Sequence, residues 1–146
     1  TWDDNTYYGA GKFRLNDSDL DSDAWRDEGG IDAHSRFVPG RPHGVWSFVR
    51  PNKFEPGRAN ICIYNWDSKA TVAVDVAKVL KIGDAYEVRD VQDYFGKPVA
   101  AGVYDGSALM LPMTGLNVAA AKGAVPTPPQ HTGPEFGAFV VQTISR

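Results

Sequence analysis

Among the aromatic residues of this 146-residue chain that a carboxylate directly follows are Trp66, before Asp67, and Tyr104, before Asp105. Sugar rings present flat C–H faces that pack on aromatic rings, while their hydroxyls seek carboxylates, amides and guanidiniums. Tyr and Trp suit such a wet surface because each joins a large apolar body to a polar tip. Trp66 ends an alternating run on a polar turn, and Tyr104 precedes an Asp-Gly turn, so both are candidate ligand platforms, with Asp67 and Asp105 accepting from hydroxyls. The competing role for either ring is to cover one end of a core, since aromatic residues are frequently buried. Trp2, Tyr7 and Tyr8 are a candidate exposed stripe, and Trp25 is expected to anchor a short helix to the main core.

Other chemistries fit less well. Asp17, Asp19, Asp21 and Asp23 recur at every second position and offer enough oxygens for calcium. A calcium loop also needs a glycine at its sharp turn and a bidentate carboxylate farther along, and neither sits at the required offset. A solvated acidic turn is expected instead, with no metal. Glycoside cleavage needs two carboxyl groups set across one bond, and Glu28, Glu55, Glu87 and Glu135 form no recognisable pair. His34, His43 and His131 lack a G-x-S-x-G nucleophile elbow to serve. Cys62 is the single cysteine, which excludes an internal disulfide and a Cys/His zinc set. No catalytic residue, cofactor or phosphate-binding glycine loop is expected, and the chain reads as a non-enzyme.

The elements that position these residues read as strands. Residues 45–49 form a short apolar run, and Pro56-Gly57 occupies the centre of a type II turn. Ile61 and Ile63 alternate with Asn60, Cys62 and Tyr64 over residues 59–66, and Val72, Val74 and Val76 share a face over 71–76. This period of two predicts an antiparallel hairpin of the two runs. Residues 85–91 place Tyr86, Val88 and Asp90 on one face. Asp105-Gly106 predicts a type I′ hairpin joining 99–104 to 107–110, and residues 137–144 form the last strand. Four prolines within 117–136 forbid a helix there and predict a long extended loop. Before residue 45, short strands at 2–8 and 12–15 precede a helix over 22–28, with Asp21 as its N-cap and Gly29 as its stop.

The fold class expected is therefore all-β: an antiparallel sandwich of about seven to nine strands over residues 45–146, with an extension over 1–44 carrying one short helix. The composition agrees, because 42% hydrophobic and 23% charged residues describe a globular chain, and 15 glycines with 10 prolines favour many turns. A net charge of −3 argues against nucleic acid, which needs a basic face. The charge is uneven: residues 1–32 carry eight Asp and one Glu against Lys12, Arg14 and Arg26. No apolar run is long enough to span a bilayer, and none at the start reads as a signal peptide. The chain starts at Thr1, which suggests a processed product or a fragment.

The order Asp4-Asn5-Thr6-Tyr7-Tyr8, Gly11-Lys12-Phe13-Arg14, Ala24-Trp25-Arg26 and Gly30-Ile31-Asp32-Ala33-His34-Ser35 resembles the last rung and exit segment of extracellular right-handed parallel β-helix proteins, an architecture of many polysaccharide lyases. The stretch from Arg50-Pro51-Asn52-Lys53-Phe54 through Ile63-Tyr64-Asn65-Trp66 is similar to the small β-sandwiches that trail such domains and many glycoside hydrolases. A β-helix needs several stacked rungs and at most one is present here. The resemblance carries over no catalytic residue. It implies a secreted, extracellular accessory module with a polysaccharide as partner, or a spacer that docks on an upstream β-helix domain without touching ligand. Coplanar exposed rings would favour the first, and an apolar patch over the first ten residues the second.

Overall fold

The computed structural model describes residues 2–9, 11–123 and 129–144. The protein is mostly strand with one short helix, and it divides into two compact units, Thr1–Pro42 and His43–Arg146.

In the second unit the strands are β5 (Val45–Pro51), β6 (Arg58–Asn65), β7 (Thr71–Val74), β8 (Ala85–Asp90), β9 (Ala100–Val103), β10 (Leu109–Pro112) and β11 (Phe136–Thr143). Five of them form an antiparallel sheet in the order β5-β6-β11-β8-β9, and β7 pairs with β10 in a separate two-stranded layer. Alternation decides what each face does. Ile61, Ile63, Val88, Phe139 and Val141 point inward and meet Val72, Val74, Leu109 and Leu111 of the second layer in one buried cluster. Each fully buried side chain of this kind contributes about 1.5–3 kcal/mol. The architecture is the expected all-β sandwich, lopsided because two strands cover five.

Strand pairing differs from the hairpins that sequence proximity suggests. The run ending at Trp66 does not pair with β7; β6 pairs with β5 and β11 instead. Asn65 turns the chain out of the sheet: fully buried, it donates to the carbonyls of Lys69 and Pro134 and accepts from the Lys69 N–H. Those three bonds hold a crossing to the other layer that a tight hairpin would forbid. Asp105-Gly106 is likewise no hairpin, since β9 pairs with β8 and β10 with β7. Gly106 has φ +97°, but Asp105 is absent from the positive-φ residues, so the turn is not type I′. The Asp105 carboxylate instead accepts from the Ser107 N–H and redirects the chain between layers.

The first unit has strands β1 (Thr6–Tyr8), β2 (Phe13–Leu15), β3 (Ser18–Leu20) and β4 (Arg36–Val38) and helix α1 (Ser22–Gly29). The Asp21 side chain caps α1 by accepting from the Asp23 and Ala24 N–H groups, as expected. The left-handed C-cap is Gly30, one residue beyond the expected stop. β2 and β3 form a hairpin, whereas β1 and β4 run parallel and in register, Tyr7 beside Phe37. Rings fill this unit: Trp25 stacks on Phe13 at 4.9 Å and Tyr7 on Phe37 at 5.1 Å. Trp25 is buried as expected, but its ring partners Phe13 and Trp2 belong to its own unit.

Candidate carbohydrate-binding face

The structure separates the two residue pairs singled out in the sequence. Ala100 lies opposite Val88, Val88 opposite Val141, and Val141 opposite Ala59. β9 therefore leaves the sheet at the end where β6 begins, and Trp66 follows the end where β6 stops. Roughly 30 Å of strand rise lies between Trp66 and Tyr104. Tyr104 is also only 3% exposed and belongs to the core cluster, so it offers no ring face to a ligand. Its partner Asp105 is exposed, but its carboxylate is engaged by Ser107, whose backbone N–H holds the pKa below the usual value. Tyr104 and Asp105 therefore do not share a rim with Trp66 and Asp67. Asp67 remains beside Trp66, accepting from the Gly44 N–H at 2.7 Å and standing 3.7 Å from the Lys69 ammonium.

Around Trp66 the structure gathers rings that the sequence reading did not select. Trp46 of β5, Tyr64 of β6 and Phe136 of β11 form one cross-strand row on the outward face. Phe48 lies in the next row, opposite Cys62. Trp66 continues the outward parity of Tyr64, and their planes differ by 18° with centroids 5.9 Å apart. Trp46 meets Trp66 edge-on at 5.9 Å, Phe48 meets Tyr64 at 6.2 Å, and Phe136 tilts against Tyr64 at 5.3 Å. Trp46, Phe48 and Tyr64 keep 38–42% of their surface in solvent. Alternation was the available signal: in 45–50, Trp46, Phe48 and Arg50 share one parity, which a reading of 45–49 as a plain apolar run conceals.

Polar groups continue the same face. Arg50 and Asn60 are exposed and directly opposite each other, one row beyond Phe48. Arg58 is 3.0 Å from the Glu55 carboxylate. Arg89 grips Glu87 with two nitrogens, at 2.7 and 2.9 Å, and Gln142 donates to the same carboxylate. The Arg89 guanidinium, helped by Gln142 and opposed by burial, holds Glu87 below its usual pKa, and Glu87 raises that of Arg89. The face therefore offers apolar rings at one end and hydrogen-bonding groups beside them, an arrangement that can hold a ligand with C–H faces and hydroxyls.

Titratable clusters elsewhere are internally satisfied. His131 Nδ1 accepts from the Gly133 N–H, so its proton lies on Nε2, which donates to Asp90 at 2.7 Å. Both ring nitrogens of His131 are therefore engaged. A cleft of about 540 Å3 beside this pair is lined by Asp90, Asp93, Lys97 and Asn117. In the first unit the buried Asp32 carboxylate accepts from Asn5, Tyr7, Trp25 and Ser35. Burial pushes its pKa up, but the bonds from Ser35, Trp25, Asn5 and Tyr7 outweigh that and hold it at about 2. Arg14 is 3.3 Å from Asp17 and 3.6 Å from Asp19, Asp21 caps the helix, and Asp23 pairs with Arg26. The four alternating aspartates thus have separate tasks. The only group of three possible ligands that the described residues bring together is Asp3, Asp4 and His34.

Comparison with known protein families, with curated proteins and with solved structures finds no match to this chain.

Proposed function

We propose that the His43–Arg146 unit is a non-catalytic carbohydrate-binding module that takes a polysaccharide on the outward face of its five-stranded sheet, as an accessory part of a secreted polysaccharide-active protein. One observation carries this reading: Trp46, Tyr64, Phe136, Phe48 and Trp66, from three adjacent strands, meet on one face, and three of them stay well exposed. A solvent-facing cluster of this size exposes apolar surface that a protein serving no partner would bury. Rings beside Arg50, Asn60 and Asp67 match the mixed apolar and hydroxyl surface of a sugar better than the purely apolar surface of a protein core. Affinity electrophoresis against a panel of soluble polysaccharides tests it. Retention on at least one, lost in Trp46→Ala with an unchanged circular dichroism spectrum, is expected; absence of retention on every member defeats the reading.

A second reading, docking on a neighbouring parallel β-helix, is favoured by the in-register parallel pairing of β1 with β4, thirty residues on, and by the stacked Tyr7 and Phe37 rings. Isolated parallel pairs are unusual, because parallel strands are ordinarily buried within larger sheets. Under that reading a separately prepared β-helix domain slows amide exchange at Tyr7, Tyr8, Phe37 and Val38, and leaves the aromatic face untouched.

A further inference from the structure

The five-stranded sheet ends on β5 at one side and on β9 at the other, and the two edges differ in what they present. β5 carries Arg50 and closes on Pro51, which has no N–H to offer a further strand. A charge and a proline are among the devices that keep an edge from pairing. β9 reads Ala100-Ala101-Gly102-Val103 and has neither. Ala101, Gly102 and Val103 are all exposed.

Hydrogen-bond phase decides which groups that edge leaves open. The Tyr104 N–H donates to the Asp84 carbonyl, Gly102 lies opposite Tyr86, and Ala100 lies opposite Val88. Bonded and non-bonded pairs alternate along an antiparallel ladder, so Ala101 and Val103 turn their N–H and C=O groups away from β8. Among the described residues no backbone group answers them on that side. Two donor–acceptor residues two positions apart are what an incoming strand needs to continue the ladder.

The flanks say which strand fits. Lys97 and Asp105 are both exposed and lie four residues to either side of Ala101. Among the described residues Lys97 forms no ion pair, and Asp105 accepts from the Ser107 N–H but meets no cation. A two-fold axis through Ala101 sets a second β9 antiparallel to the first and carries each Lys97 to the other copy's Asp105. The edge is therefore complementary to itself in backbone and in charge. β5 is not, since it carries Arg50 and no carboxylate.

We infer that β9 is a dimerisation edge, at which two copies of this chain pair antiparallel about Ala101 and continue the five-stranded sheet across a two-fold axis. Lys97 of each copy stands against Asp105 of the other. Ala101 and Gly102 are small enough to let the two backbones close to ladder distance. One strand pair is a small interface, so the dimer forms reversibly and with concentration. Nothing in this pairing depends on the polysaccharide reading.

Sedimentation equilibrium of the full chain, without polysaccharide, from about 1 μM to about 1 mM reads the association. The mass is expected to rise from one chain toward two. Ala101→Pro removes a donor that β8 does not use, and is expected to hold the chain monomeric with an unchanged circular dichroism spectrum. Lys97→Glu is expected to weaken the dimer about fivefold, the scale of exposed ion pairs, and mixing it with Asp105→Lys to restore association, because each copy then meets an opposite charge. However those variants fold, Ala101→Cys is expected to oxidise to a covalent dimer, since residue 101 faces its own copy, and Ser47→Cys on β5 is not. A chain that stays monomeric throughout leaves the edge to a strand of another protein and overturns the inference. So does a dimer that survives Ala101→Pro or ignores Lys97→Glu, or cross-linking no faster at 101 than at 47.

Discussion

The indole nitrogen of Trp25 donates to the carboxylate of Asp32 at 2.8 Å, and that carboxylate is completely withdrawn from solvent. The bond ties the middle of α1 to the segment leading into β4. Asn5 and Tyr7 reach the same carboxylate from around β1, and Ser35 from the far side of the turn. A buried anion is tolerated only when hydrogen bonds replace its lost water, and four donors do so here. The price of removing one partner is a less satisfied buried charge, so Asp32 organises the first unit.

This arrangement predicts an acid-sensitive first unit. Asp32 has a folded pKa of about 2 against an ordinary 3.8. A depressed folded value means its stabilisation is fully present above 3.8 and is lost as pH falls toward 2. Tryptophan fluorescence should therefore change across that window in the wild type. Asp32→Asn should remove this acid transition and lower the melting midpoint at neutral pH; an acid transition unchanged by Asp32→Asn would contradict the assignment.

His34 and Asp3 form an exposed pair, with Nδ1 of the imidazole 2.7 Å from the carboxylate. The hydrogen bond and charge of Asp3 raise the His34 pKa above 6.5, and His34 in turn lowers that of Asp3. For a raised value, the stabilisation is present below 6.5 and lost as pH rises through the folded pKa. Proton NMR titration of the His34 ring should show Asp3→Asn shifting the midpoint down toward 6.5. No shift would mean the contact does not persist in solution.

What the sequence made legible was local or periodic. The β6 alternation holds because Ile61 and Ile63 face the core while Asn60, Cys62 and Tyr64 face out. The Asp21 cap holds because its partners lie within three residues. Pairing was hidden, since β6 finds β11 some seventy residues away, and loop closure over such a distance leaves no local mark. The candidate site was half legible: Trp66 and Asp67 lie at the aromatic face, but Tyr104 shares only its residue type and its nearness to a turn. Burial decides between core and platform, and burial depends on which layer covers the ring.

Glycines with positive φ give a test of backbone strain at two turns. Gly57 has φ +82°, and a Cβ there would stand 2.5 Å from Thr143 Oγ1. Gly57→Ala should cost about 1–3 kcal/mol, part from φ and part from the clash. Thr143→Ala should recover the clash component in the double variant, read as a coupling energy in urea denaturation. Gly106→Val should also cost about 1–3 kcal/mol, because φ +97° strains a β-branched residue even though the turn is not a hairpin. An unchanged melting temperature in either single variant would show that the turn relaxes.

Tyr104 and Trp46 should respond to substitution in opposite ways, because one ring is in the core and the other on the surface. The Tyr104 hydroxyl is buried without a hydrogen-bond partner among the described residues. A buried polar group left unpaired costs free energy, so removing only that oxygen removes a penalty. Tyr104→Phe is therefore expected to be neutral or to stabilise by up to about 1 kcal/mol in urea denaturation, with polysaccharide retention unchanged. Tyr104→Ala empties a core position and should cost about 3–5 kcal/mol. Trp46→Ala, at an exposed position, should leave the denaturation midpoint within about 1 kcal/mol of wild type and abolish retention. If Tyr104→Phe destabilises substantially, the hydroxyl has a partner in solution; if Tyr104→Phe loses ligand while Trp46→Ala keeps it, the site belongs at the opposite end of the sheet.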